Sequence, residues 1–254
     1  MRLLLLLGLL LAAWSNPAAA QSRLDEIVAR GTLRVGLTGD YRPFSQKAPD
    51  GSYTGLDVDM ARSLADALGV KLELVPTTWA TLLPDLGEGR FDVGMGGISI
   101  TLARQKLALF SVPVMRAGKA AIARCTDKER FASLAAIDRP GVKVLVNPGG
   151  TNERFDRANL HQAELVAFPD NTRIFDQLAG GQGDVMITDS VETKLQQKLH
   201  PELCAIHPDQ PFDFGELGYL LPRDMVLKQF VDQWLHIAIE SGTWPRLAQS
   251  YLGP

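Results

Sequence analysis

The sequence predicts an α/β fold built as two lobes. Short runs rich in β-branched residues alternate with amphipathic stretches, which is the order typical of α/β proteins. The chain has 254 residues, 46% hydrophobic and 22% charged, so it can bury a substantial core. About 234 residues remain after an N-terminal leader. That length exceeds the usual size of a single domain and favours two lobes over one.

The first 20 residues predict a cleavable secretory signal peptide. Arg2 precedes an apolar run at 3–14, and the alanines at 18–20 resemble a cleavage site. The run is shorter than the roughly 18 apolar residues that cross a bilayer, so a membrane anchor is the weaker interpretation. The mature protein is therefore expected to begin at Gln21, to be exported and to have no stable membrane anchor.

The first half of the mature chain predicts three strands around one helix. The strands are expected at 33–37, 71–75 and 91–94. The helix at 57–69 ends at Gly69, and its apolar residues fall on one face: Val58, Ala61, Leu64, Ala65 and Leu68. Residues 99–111 alternate too loosely for a helix to be predicted there.

The second half repeats this order with a different sequence. Strands are expected at 143–146, 164–168 and 184–188, and helices from Thr151, at 172–179 and after Asp189. In the helix after Asp189, residues spaced by four are expected to bury one face: Val191, Leu195 and Leu199. A last long helix from Asp224 to Gly242 turns these residues inward: Leu227, Phe230, Val231, Trp234, Leu235 and Ala238.

Charge and cysteine content exclude several classes of function. The formal net charge of −3 provides no bulk attraction for nucleic acid or an anionic membrane, so no nucleic-acid partner is expected. Two cysteines in an exported chain, Cys125 and Cys204, predict one disulfide. The cysteines and the four histidines lack the spacing of metal ligands, so no metal site is predicted.

Three polar loops follow predicted strands, where an open α/β sheet presents its ligand sites. They span 38–45, 95–104 and 147–153 and offer backbone amides, the hydroxyls of Ser99, Thr101 and Thr151, and the guanidinium of Arg104. A guanidinium binds both oxygens of a carboxylate, and glycines allow the backbone to approach it. The set favours a small carboxylate ligand, although a single arginine is more often a solvated surface residue.

Several segments resemble the extracytoplasmic amino-acid-binding proteins of ABC transporters. They are GLTGDYRPFS at 36–45, TGLDVDMARSLADALG at 54–69, GISITLAR at 97–104, PGGTNE at 148–153 and DVMITD at 184–189. The resemblance implies a two-lobed periplasmic-binding-protein (type II) fold with a ligand cleft between the lobes. It places lobe 1 at 21–114 plus 213–254, lobe 2 at 115–212, and the hinge crossings near 113–119 and 209–214.

The same resemblance implies a set of binding residues. Gly97, Ser99, Arg104 and Thr151 would hold an α-carboxylate, and Asp189 would face an α-ammonium. Asp40, Tyr41, Phe44 and Trp79 complete the substrate-binding set, with the three rings as its aromatic walls. The alternatives are core packing for the rings and a helix N-cap for Asp189.

Longer runs resemble an enzymatic branch of this family, the periplasmic cyclohexadienyl dehydratases. They include GISITLARQ at 97–105, LVNPGGTNERF at 145–155, TDSVETKLQ at 188–196 and LHPELCAIHPDQPFDF at 199–214. This resemblance implies loss of water and carbon dioxide from prephenate to give phenylpyruvate, and from arogenate to give phenylalanine, without a cofactor. It implies Glu192 as general acid, beside Lys119 and Asn147, which orient substrate and steady negative charge.

Competing interpretations remain open from the sequence. Asp189 and Glu192 also have the spacing of a capping box, which would make Glu192 a helix cap. If Glu192 is the acid, burial should raise its pKa. A non-catalytic amino-acid-binding protein that serves a permease would share the fold and the carboxylate clamp. A ligand-sensing domain is disfavoured because no membrane-spanning segment follows, and a serine hydrolase because no G-x-S-x-G motif occurs.

Overall fold

The computed structural model describes residues 21–253, so the predicted signal peptide lies outside the described residues. The helices are α1 (Arg23–Arg30), α2 (Leu56–Leu68), α3 (Leu82–Gly87), α4 (Leu102–Gln105), α5 (Leu134–Ile137), α6 (Thr151–Asn159), α7 (Ile174–Ala179), α8 (Ser190–Leu199), α9 (Met225–Glu240) and α10 (Thr243–Leu252), with a 3-10 helix at Cys125–Phe131. The strands are β1 (Thr32–Leu37), β2 (Asp40–Tyr41), β3 (Ser45–Lys47), β4 (Tyr53–Thr54), β5 (Lys71–Pro76), β6 (Val93–Gly94), β7 (Leu109–Phe110), β8 (Met115–Arg116), β9 (Lys119–Arg124), β10 (Lys143–Val146), β11 (Glu164–Ala167), β12 (Val185–Asp189), β13 (Leu203–Ile206), β14 (Glu216–Leu217) and β15 (Leu220–Leu221).

Two five-stranded sheets confirm the α/β, two-lobed prediction. The first sheet has the order β5-β1-β6-β15-β7, and the second has the order β11-β10-β12-β9-β13. In the first, β1 pairs in parallel with β5 and β6, and in the second, β10 pairs in parallel with β11 and β12. Parallel strands end at a common edge, so the loops after β1, β6, β10 and β12 are brought to the sheet edges that bear ligand sites.

The chain forms most of the first sheet, crosses to the second, and returns. Every strand of the second sheet lies between β9 and β13, whereas β15 reaches the first sheet after that excursion. The two crossing segments run side by side, because β8 pairs antiparallel with β14. This path is compatible with an inserted second lobe, and the division at residues 115 and 212 stays a prediction.

The predicted disulfide between Cys125 and Cys204 is confirmed. It joins the end of β9 to β13, two neighbouring antiparallel strands, with a Cα–Cα distance of 4.8 Å. The bridge therefore closes a loop of 79 residues within the second sheet's part of the chain.

Both helices predicted with most detail are present. Helix α2 buries the expected apolar face, with Leu68 partly buried, and ends at Gly69 in the left-handed conformation, with φ of 66°. Helix α9 begins after Asp224, whose side chain accepts a hydrogen bond from the Leu227 amide, and it buries the predicted stripe, with Phe230 partly buried. It ends at Glu240, with Ser241 as its C-cap, and a further helix, α10, begins beyond Gly242.

The predicted buried face of α8 is wrong. Leu199 is 46% exposed, and the buried residues of this helix are polar: Ser190, Glu192, Thr193 and Gln196. The helix turns this polar face inward because its groups are satisfied there: Glu192 accepts from Thr188, and Thr193 donates to the Ser190 carbonyl. Val191 instead packs against the core of the first lobe.

Other differences concern short elements. The strand expected at 91–94 spans only Val93–Gly94, and the loosely patterned residues 99–111 contain the short helix α4 and strand β7. Among the helices of residues 21–253, none is long and apolar enough to cross a bilayer.

Candidate functional site

A cavity of about 360 Å³ lies between the lobes, and we call it the ligand cavity. Eight of the expected site residues line it: Tyr41, Trp79, Gly97, Ser99, Asn147, Thr151, Asp189 and Glu192. The sequence did not single out three further residues of the lining, Gly150, Asn152 and Asn171.

Glu192 is a buried carboxyl at the wall of this cavity. It is 2% exposed, and burial raises its pKa from the usual 4.5 to about 8. The Thr188 hydrogen bond and Lys119 oppose the rise, while the negative charges of Asp189 and Asp40 add to it. The Thr188 hydroxyl donates to Oε2 at 2.5 Å and so leaves Oε1 for a ligand. Protonated at neutral pH, this carboxyl can donate a proton into the cavity.

The capping-box alternative for Glu192 is wrong. Asp189 occupies the N-cap position of α8, yet its side chain makes no capping hydrogen bond. Both of its oxygens are directed elsewhere: Oδ1 accepts from Lys119 and Oδ2 from the Tyr41 hydroxyl, each at 2.6 Å. The helix start thus serves to present Asp189 and Glu192 to the cavity.

Lys119 and Asp189 form a buried ion pair. They face each other directly in the antiparallel register of β9 and β12, and each is 5% exposed. Besides Asp189, the ammonium donates to Thr151 at 3.2 Å and to the Asn152 side-chain oxygen at 2.6 Å. Since Lys119 neutralises Asp189, the ion pair brings little net charge to the cavity. Its hydrogen bonds fix the positions of both side chains.

A chain of hydrogen bonds connects Lys119 to Glu192. The Asn152 amide nitrogen donates to the Thr188 hydroxyl at 2.9 Å, and that hydroxyl donates to Glu192. Because the Asn152 side-chain oxygen also accepts from Lys119, Asn152 and Thr188 together connect the Lys119 ammonium to the Glu192 carboxyl. Sequence reasoning missed both linking residues, because neither residue type at these positions carries a signal until β12 and α6 are packed together.

Arg104 is a buried cation beside the cavity. It is 3% exposed and donates to the Ser99 carbonyl at 2.8 Å, and no carboxylate among the described residues lies within ion-pair distance of it. Burial lowers its pKa to about 10, with Arg154 adding to the fall and Asp189 opposing it, so it stays protonated at neutral pH. A buried charge without a partner is costly, and an anionic ligand would supply one.

A short loop after β6 is held by a buried carboxylate that the sequence analysis did not identify. Asp57 Oδ2 accepts from the Gly96 and Gly97 amides at 2.8 Å each, and the Tyr219 hydroxyl donates to Oδ1 at 3.3 Å. Gly97 has φ of 70°, and a Cβ there would lie 2.5 Å from the Phe44 ring. The sequence does carry a signal for this role of Asp57, because it is an acidic residue beside the apolar face of α2.

Hydrogen bonds and ring contacts hold several of the expected residues in place in and behind the cavity lining. Phe44 is fully buried behind Tyr41, with ring centroids 5.2 Å apart, and does not line the cavity. Asp40 accepts from the Trp79 indole at 3.1 Å, which orients that ring. The Asn147 amide nitrogen donates to the carbonyls of Phe168 and Pro169, which orients its side chain. Ser99 and Thr151 face each other across the cleft, with hydroxyl oxygens 3.2 Å apart.

The described residues contain no group of three or more histidine, cysteine or acidic side chains arranged to hold a metal ion. The cavity is lined by the protonated Glu192 carboxyl and by two aromatic rings, and the Lys119 ammonium and the Arg104 guanidinium lie behind its lining.

Comparison with known proteins places this geometry in a family. Residues 33–254 match the model of the bacterial extracellular solute-binding proteins, family 3. A cyclohexadienyl dehydratase of Pseudomonas aeruginosa is 55% identical over 92% of this chain and 87% of its own. The L-cystine-binding protein TcyJ of Escherichia coli is 31% identical over 92% of this chain and 88% of its own.

Two solved structures extend the comparison. The ancestral amino acid-binding protein AncCDT-1, a precursor of cyclohexadienyl dehydratase, has a TM-score of 0.84 at 38% identity and covers 91% of this chain and 100% of its own. An ancestral cyclohexadienyl dehydratase, AncCDT-3, has a TM-score of 0.59 at 50% identity and covers 93% of this chain and 98% of its own. The chain thus belongs to family 3 of the bacterial extracellular solute-binding proteins.

Proposed function

We propose that this chain is a cyclohexadienyl dehydratase, which converts prephenate to phenylpyruvate and arogenate to phenylalanine. The observation that supports this most is the Glu192 carboxyl, buried at the ligand cavity with a pKa raised to about 8. A general acid for dehydration needs a carboxyl that holds its proton at neutral pH, and this burial provides it. The 55% identity to a cyclohexadienyl dehydratase over most of both chains supports the same reaction.

Glu192 is the general acid in this mechanism. Its Oε1 proton passes to the departing ring hydroxyl, so the C–O bond breaks and the oxygen leaves as water. The bond between the ring and its carboxylate breaks at the same time, carbon dioxide leaves, and the released electron pair completes the aromatic ring. A positioned acid of this kind contributes about 10²- to 10⁴-fold in rate.

Arg104 and Lys119 have different roles in positioning the substrate. Arg104, which has no acidic partner among the described residues, binds the side-chain carboxylate that survives the reaction. The ring carboxylate, which is lost, is left without a tight clamp, because binding it strongly would stabilise the ground state. Asn147 orients the ring directly, and Lys119 does so through Thr151 and Asn152, to which its ammonium donates. Through Asn152 and Thr188, Lys119 also steadies the charge left on Glu192 after proton transfer.

The Lys119–Asp189 ion pair argues against a purely amino-acid-binding role. In an amino-acid carrier, Asp189 would face the α-ammonium of the ligand with its charge available. Here Lys119 and Tyr41 already donate to the two Asp189 oxygens at 2.6 Å. An arriving ammonium, that of arogenate included, would have to compete with a buried lysine, whereas the keto acid prephenate would not, so the ion pair favours prephenate as the better of the two substrates.

The test is to mix the purified mature protein with prephenate near neutral pH and to follow phenylpyruvate by absorbance. Arogenate, with phenylalanine as product, is assayed in parallel, and thermal shifts with a set of amino acids report simple binding. Formation of product supports the proposal. Absence of product together with stabilisation by an amino acid would make the chain a transport binding protein, with a permease as its partner.

The proposed location is the periplasm, reached through the cleavable signal peptide expected at residues 1–20. Membership in an extracellular solute-binding family and the half-buried disulfide support an oxidising compartment. The partners proposed for this function are its small-molecule substrates, prephenate and arogenate.

A further inference from the structure

A second cavity, of about 630 Å³, lies against Glu192, and we call it the rear cavity. Glu192 and Asn171 line both the rear cavity and the ligand cavity, so they form part of the partition between them. The Asn171 amide nitrogen donates to the Asp40 carbonyl at 3.0 Å, which ties this partition across the two lobes. The Glu192 side chain thus contacts both cavities.

One face of α8 leads from the acid to the surface. Glu192 and Gln196 lie one helical turn apart on α8, His200 follows directly after the last residue of the helix, and all three line the rear cavity. The distance along the helix axis from the first to the last is about 12 Å. Gln196 is 6% exposed, whereas 21% of the His200 side chain is exposed, so the face passes from buried to solvent-accessible.

The mouth of the rear cavity carries groups suited to proton exchange. His200 stacks on Phe175, with ring centroids 6.2 Å apart, and its Nδ1 lies 3.9 Å from Oδ1 of Asp176, a side chain that is 59% exposed. Histidine is the side chain most suited to accept and donate protons near neutral pH. The other charged residues that line the cavity are Asp40 and Arg42.

The proposed reaction consumes one proton at Glu192 in each cycle. The carboxyl proton leaves with the hydroxyl oxygen as water, and the carboxylate must take up a proton from solvent before the next cycle. While product fills the ligand cavity, that side of Glu192 is closed to water. The rear cavity touches the same side chain and does not contain the substrate.

We propose that the rear cavity is the path by which a proton returns from solvent to Glu192, with Gln196 along the path and His200 at its mouth. This inference rests on the dehydratase function proposed above. In this proposal Gln196 and His200 help to reprotonate the Glu192 carboxylate after each turnover and take no part in the chemical step itself.

The test separates the first turnover from those that follow. Enzyme equilibrated at neutral pH is mixed rapidly with excess prephenate, and phenylpyruvate is followed for wild type, Gln196→Leu, His200→Ala and the control His236→Gln, an exposed histidine on α9. The first turnover uses the proton already on Glu192. It should therefore keep its rate within about twofold in both path variants, whereas later turnovers should slow by about tenfold.

Chemical rescue provides the second readout. Added imidazole should restore the later turnovers of His200→Ala, because the rear cavity is large enough to admit it, and should leave the wild type and His236→Gln unchanged. Equal losses in the first and later turnovers would overturn the proposal in favour of a structural role. Unchanged later turnovers in both path variants would also overturn it, and the proton would then enter through the ligand cleft. A wild type that forms no product would instead refute the proposed function.

Discussion

Replacing Glu192 by glutamine removes the acidic proton while it keeps the shape and hydrogen-bonding oxygen of the side chain. Glutamine can still accept from Thr188, as Glu192 does at 2.5 Å, so the start of α8 should be unchanged. The substitution therefore isolates proton donation from packing. We expect kcat for prephenate to fall by about 10²- to 10⁴-fold, the usual contribution of a general acid.

The raised pKa decides how much of the wild-type enzyme is competent at neutral pH. With a pKa of about 8, roughly nine in ten molecules carry the Glu192 proton at pH 7. An ordinary glutamate, with a pKa near 4.3, would carry it in roughly one molecule in 500. Burial therefore increases the fraction of competent enzyme several hundredfold. The value of kcat/KM for the wild type should fall above pH 8, where the carboxyl ionises.

The same shift predicts a pH dependence of stability. Between the ordinary pKa of 4.5 and the raised pKa of about 8, the folded protein holds a proton that the unfolded chain has lost. Stability therefore decreases as pH rises through this window, by a few kcal/mol in total. The Gln variant, which has no proton to lose, should lack this part of the decrease. Urea denaturation at pH 5, 7 and 9 measures both proteins.

The matched control is Glu164→Gln, which makes the same chemical change at an exposed position on β11. It should leave kcat, its pH profile and stability unchanged. The reasoning is refuted if Glu192→Gln retains the wild-type rate, or if the wild-type rate shows no loss above pH 8. A rate lost together with the fold, seen as a lower unfolding midpoint at pH 7, would also refute it.

Three further outcomes are expected. Arg104→Met should raise KM for prephenate by about 10- to 100-fold, the value of a charge-assisted hydrogen bond, while the thermal midpoint stays the same or rises, since a buried cation without an acidic partner is removed. Asp57→Ala should lower the free energy of unfolding by about 2–5 kcal/mol in urea titrations, because two buried amides lose their acceptor, and Asp57→Asn should cost less. Replacing Cys125 and Cys204 together by alanine should cost up to about 4 kcal/mol, from a loop of 79 residues, with kcat at 25 °C unchanged.

Much of the candidate site could be predicted from local sequence because strands position their loops. The segments after β1, β6 and β10 are polar loops at strand ends, and five of the expected residues in them line one cavity: Tyr41, Gly97, Ser99, Asn147 and Thr151. Trp79, Asp189 and Glu192 lie outside these loops and are expected only from the family resemblance. The α2 and α9 stripes were predictable for the same kind of reason: a regular apolar spacing reports a buried face.

What the sequence could not predict depends on packing between distant elements. Asn152 and Thr188 link Lys119 to Glu192 by hydrogen bonds, and this role exists only because α6 packs against β12. The face of α8 was misassigned because apolar spacing suggested Val191, Leu195 and Leu199, whereas hydrogen bonds keep its polar residues inside. Strands of two residues, such as β6 and β15, carry too little periodicity to be located.

The central claim is that Glu192 holds a proton at neutral pH in the cleft of the ligand-free protein. Carbon-13 NMR of protein labelled at the glutamate carboxyl measures this directly, with Glu192→Gln used to assign the resonance. The account predicts a titration midpoint near pH 8 for Glu192. A midpoint below pH 5, as for a solvated glutamate, would contradict it.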